Sequence, residues 1–69
     1  MNTAETQLQT LMKLWQDNTS QTLSLIRVYG DPPSKDSEII KLKSLSDGRK
    51  KIEKQIDDIL IQLAEQMQS

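Results

Sequence analysis

Residues 28–36 read Val28-Tyr29-Gly30-Asp31-Pro32-Pro33-Ser34-Lys35-Asp36, and this stretch decides the architecture. It is either a tight corner folding two helices back on each other or a linker between separate pieces. Gly30 follows Tyr29, the last residue of a periodic run, and glycine most easily fills the left-handed position just past a helix end. Pro32 and Pro33 cannot continue a helix, because proline lacks the amide hydrogen and its ring clashes with the preceding turn. Ser34 or Asp36 can cap a second helix, and the carboxylates of Asp36 and Glu38 suit its positive end. Stop, corner and start fall within about seven residues, inside the range for antiparallel neighbours in bundles. A flexible linker is longer and richer in Gly and Ser. The stretch reads as the corner of a hairpin.

N-terminal to it, Ala4, Leu8, Leu11, Trp15, Asn18, Thr22, Leu25 and Tyr29 recur at spacings of three and four, the signature of one helix face. Asn2 followed by Glu5 resembles a capping box. C-terminal to the corner, Leu42, Leu45, Arg49, Ile52, Ile56, Ile59, Leu63 and Gln66 keep the same alternation, with Leu60 and Met67 widening the stripe. Lys54 with Asp58, and Asp47 with Lys51, are spaced for i,i+4 ion pairs. The expectation is an all-α chain and a single unit over 1–69: a helix over about 3–29, a corner at 30–34 and a helix over about 35–68. Such a chain folds as an antiparallel, coiled-coil-like two-helix hairpin, with residue i roughly opposite residue 65 − i. At ~1.5 Å per residue each arm is about 40–50 Å long.

Composition excludes much chemistry. The chain has 69 residues and neither cysteine nor histidine. Disulfides, thiolate zinc sites, Ser–His or Cys–His nucleophiles and Glu-x-x-His di-iron motifs are therefore ruled out. Gly30 and Gly48 stand alone, so there is no glycine loop for phosphate. Glu53, Asp57 and Asp58 could gather a hard cation, but the lysines beside them read as a solvated face. No enzyme activity, cofactor or metal is expected. Nine basic and ten acidic residues give a net charge of −1, and such a balance gives no electrostatic reason to expect nucleic acid or an anionic membrane. Lys43, Lys50, Lys51 and Lys54 share the outer face of the second helix with Asp36, Asp47, Asp57 and Asp58. No secretory leader or apolar span is evident, and the expected setting is the cytoplasm.

The first helix is apolar over too wide an arc for one neighbour. Leu8, Met12, Trp15, Leu23 and Ile26 lie on one side, and Leu14, Leu25 and Val28 spread round to the other. Below about 70–80 residues a single core rarely supplies more than ~3–5 kcal/mol, so small folds without disulfide or metal usually lean on another chain. The expected partner is protein: a second copy, completing a four-helix bundle, or another helical chain in a larger assembly. The expected interface comprises Leu8, Leu11, Leu14, Trp15, Leu25 and Ile26 on the first helix, and Ile52, Ile56, Ile59 and Leu63 on the second. Ile39, Ile40 and Ile61 offer a secondary contact surface.

At mid-height both helices turn polar, with DNTSQT at 17–22 opposite SLSDGR at 44–49. One reading is a polar layer in which Arg49 meets Asp17 or Asn18 and sets register and partner choice. The others are a break in either helix near Gly48, a binding groove, or an Arg49 that extends past the seam to solvent.

In format, helix, short corner and helix, the chain resembles plasmid copy-number regulators of the Rop type and type III secretion needle subunits or their small chaperones. No motif of those families carries over residue by residue, and no functional residue follows from the resemblance. Three functions fit the sequence: a non-catalytic helical interaction module, a small nucleic-acid-binding regulator using the lysine face, or a secretion or phage structural subunit or chaperone.

Overall fold

The computed structural model describes residues 3–68, with side chains described through residue 66. Two helices, α1 (Thr3–Tyr29) and α2 (Asp36–Gln68), pack against each other, and no strand occurs among the described residues. Asn2, expected to cap α1, and the Met67 side chain lie outside the described residues. The hairpin extends 53 × 18 × 14 Å. Its radius of gyration of 15.9 Å compares with about 11 Å for a compact domain of this length.

The corner closes by local chemistry. Gly30 adopts φ 95°, and its amide donates to the Ile26 carbonyl at 2.9 Å. That bond is the single turn-closing contact of a left-handed helix end, and it satisfies a carbonyl that the helix would otherwise strand. The Asp31–Pro32 bond is cis. The start of α2 departs from the sequence expectation by one residue and by its cap. Lys35, not Ser34 or Asp36, occupies the capping position, and its backbone amide donates to Glu38 Oε1 at 3.3 Å. The Lys35 carbonyl accepts from the amides of Glu38 and Ile39 at 3.1 and 3.2 Å. Lysine has no side-chain acceptor to offer, so only the carboxylate half of a capping box forms.

α2 runs unbroken through Gly48, and α1 runs unbroken through its polar waist. A helix interior tolerates one glycine at a cost of ~1 kcal/mol when the neighbouring turns hold. Here Leu45 and Ile52 face α1 on either side of Gly48.

The two helices meet along one seam, and it is thin. Leu8, Leu11, Leu25 and Ile26 from α1 and Leu42, Ile52, Ile56, Ile59 and Leu63 from α2 are half-buried in it. No described residue is fully buried. Two helices alone enclose no interior, since every seam residue has solvent on one flank. The accessible surface of 5596 Å² exceeds the ~4,400 Å² of a compact monomer of this mass. Among the described residues no helix is long and apolar enough to cross a membrane.

Candidate interaction surface

The seam divides the outside of the hairpin into two flanks of different chemistry. The front flank carries an apolar groove with Leu8, Met12 and Trp15 on one wall and Ile56 and Leu60 on the other. The back flank carries a shallower groove where Leu11 and Ile59 lie between Thr6, Gln7, Thr10, Gln55 and Asp58. The division follows from helix geometry. Positions 8, 12, 15 and 16 lie to one side of the α1 seam line, and 7, 10 and 14 to the other.

Large apolar side chains are exposed mainly on the front. Met12 is 54%, Leu23 52%, Ile39 50% and Leu60 49% accessible, and Trp15 36%. Leu23 falls eleven residues after Met12, about three turns, and Ile39 falls eighteen before Asp57, about five turns, so both continue the groove's azimuth. Of the residues expected at the interface, most are drawn into the hairpin's own seam. Trp15 stands at the front edge, and Leu14, 48% exposed, faces the back. Met12, Leu23, Ile39 and Leu60 were not in that expected set. Their signal is present in the sequence as the step from 12 to 16, 19 and 23. It becomes meaningful only once the neighbour's position defines which side is open. Ile40 and Ile61 do not join Ile39 in one surface, because the 21 residues between them span about 31 Å of helix.

The polar waist is a layer of different composition from the one expected. Asn18 Nδ2 crosses the seam to donate to the Leu45 carbonyl at 2.8 Å. Thr22 Oγ1 donates to the Asn18 carbonyl at 2.9 Å. Arg49 meets neither Asp17 nor Asn18. Its Nε lies 3.7 Å from Glu53 Oε1, one turn along its own helix, while Asp17 is exposed. The same Glu53 oxygen accepts from Trp15 Nε1 at 3.1 Å, so one carboxylate gathers an arginine from below and an indole from across the seam. Helical spacing explains the exchange: Glu53 follows Arg49 by four residues and shares its face, whereas Asp17 points outward. Asn18 Oδ1 and Thr19 Oγ1 are shielded from solvent without a hydrogen-bond partner.

Register agrees with a fold about Pro32. Trp15 with Glu53 and Asn18 with Leu45 bracket the relation of residue i to 65 − i.

The charged outer face is mixed. Lys43 and Lys51 alternate with Asp47 beside Gly48, and residues 36–58 hold six bases and six acids. The Lys54–Asp58 and Asp47–Lys51 spacings do not close into ion pairs; among the described residues, Arg49 pairs with Glu53. No group of three or more His, Cys, Asp or Glu gathers among the described residues. Asp57 and Asp58, adjacent in sequence, line opposite flanks. No family model matches the chain, and no curated protein or solved structure matches it.

Proposed function

We propose that this chain is a non-catalytic helical interaction module that works by associating with a second copy of itself, two hairpins forming a four-helix bundle. One observation carries the reading: among the described residues, nine large apolar side chains are exposed and none is fully buried. Burying a large apolar side chain is worth about 1.5–3 kcal/mol. A hairpin without disulfides that leaves this much apolar surface in water forgoes the main source of stability open to it. A four-helix bundle supplies the missing interior by giving each seam residue a second wall.

Sedimentation equilibrium over a hundredfold range of concentration, paired with helicity melts at each concentration, tests the reading. Association predicts a dimeric mass and a melting temperature that climbs with concentration. A monomer throughout the range, with a cooperative melt independent of concentration, overturns it.

A further inference from the structure

The hairpin has two open flanks, and they differ in which helix carries exposed apolar side chains. On the back these are Leu14 and Val28, both on α1, while α2 presents Gln55, Gln62 and Gln66 there. On the front both helices carry them: Met12, Trp15 and Leu23 on α1, Ile39 and Leu60 on α2. Only the front has two apolar walls left in water.

The directions of those side chains say how many helices are needed to cover them. The half-buried residues of each helix define its seam direction. At about 100° per residue, Met12 and Leu23 stand about 80° and 100° from that direction on α1, and Leu60 and Ile39 about 50° and 110° on α2. In a square four-helix bundle the second neighbour of a helix lies about 90° from the first, whereas one extra helix nested against both arms lies at about 60°. The mean of the four, about 85°, matches two covering helices. A lone helix in the groove would leave Leu23 and Ile39 outside.

We infer that the second copy proposed above, on whose existence this placement depends, lies across the front flank with one helix over each arm. The central charges of that flank are already matched. Glu53 takes Arg49 at 3.7 Å and the Trp15 indole at 3.1 Å, so covering them strands no charge. Acids (Glu5, Glu38, Asp57) and bases (Arg27, Lys50) both lie along it, which gives no footing to a partner of one strong sign such as nucleic acid. The area is adequate for a copy. A face 53 Å long and 18 Å wide offers on the order of 900 Å² per copy, against ~800 Å² in a standard stable interface.

Trp15 tests the placement directly. It is the single tryptophan of the chain, it is 36% exposed, and it stands near the middle of α1 (Thr3–Tyr29). A copy running in either direction therefore covers it. Emission and acrylamide quenching are followed over the concentrations at which sedimentation shows the dimer forming. The expected result is a blue shift and a fall in quenching that track the dimer. Variants read the two flanks separately. Leu23→Glu and Ile39→Glu should each weaken dimerisation about tenfold or more, since each sets two carboxylates in an apolar contact. Leu14→Glu, on the back, should stay within about threefold. All three leucine and isoleucine side chains are about half exposed in the hairpin, so helicity should hold in each variant. A parent that stays monomeric overturns self-association and this placement with it. A dimer whose Trp15 emission and quenching keep their monomer values overturns the placement and leaves self-association standing. So does a dimer that Leu14→Glu dissociates while Leu23→Glu and Ile39→Glu do not.

Discussion

The chain's two glycines mark two regions built on opposite principles. At the corner, Gly30 is required: its φ of 95° lies in the left-handed region that side chains resist. The space around it is open, since an added Cβ would meet nothing nearer than the Pro32 carbonyl oxygen at 3.7 Å. Conformation, not crowding, selects glycine there. At the waist, Gly48 lies inside a continuous helix, and an added Cβ would sit 3.7 Å from Asn18 Nδ2, an ordinary contact. Nothing in the hairpin demands glycine at that position. The corner is held by favourable local contacts, whereas the waist keeps residues that weaken both helices at one level. The same helix-breaking residue is a structural need at the corner and a tolerated penalty at the waist.

Four substitutions, measured by denaturant melts at one fixed protein concentration, test the roles of corner and waist. Gly30→Ala should have the largest effect, a loss of about 1–2 kcal/mol, because alanine is forced into a left-handed conformation. An unchanged midpoint would show that the corner re-forms without positive φ.

Asn18→Leu should move the other way, by roughly +1 kcal/mol. It removes a cross-seam bond worth ~0.5–1.5 kcal/mol, but also removes Oδ1, a shielded acceptor with no partner, whose cost is ~1–3 kcal/mol. The Leu45 carbonyl keeps the Arg49 amide as its helical donor, so no new group is stranded. A loss of stability would instead mean that the assembled protein satisfies Oδ1.

Gly48→Ala should stabilise by about 0.5–1 kcal/mol, the usual gain inside a helix where the new methyl has room. Destabilisation would reveal a close approach at the waist by a second chain. Arg49→Leu should be the smallest, within about 0.5 kcal/mol, since the side chain is 30% exposed and its pair with Glu53 is a one-turn surface contact. A loss of several kcal/mol would place Arg49 in a sealed layer after all.

The corner and the helices were legible in the sequence because their causes are local. A 3.6-residue period, a glycine after Tyr29 and two prolines act within a few residues of themselves. The cap of α2 was only half legible. Ser34 and Asp36 have the better side chains, but where the chain enters the helix depends on how the prolines direct it, and Lys35 takes the position with Glu38 reaching back. The waist was legible as polar, not as a set of pairs. Asp17, Asn18 and Arg49 share a level in the sequence alignment of the arms, yet Asn18 alone turns into the seam and Arg49 is taken by Glu53.

That the chain is helical, turns once and has an apolar face on each arm follows from short segments, because backbone preference and side-chain period are local properties. Which apolar residues the hairpin consumes and which it leaves outside depends on how the two helices pack. Leu8, Ile26 and Ile56 look the same in sequence as Met12, Leu23 and Leu60. They differ by some tens of degrees about a helix axis, and that angle has no meaning until a second helix occupies one side.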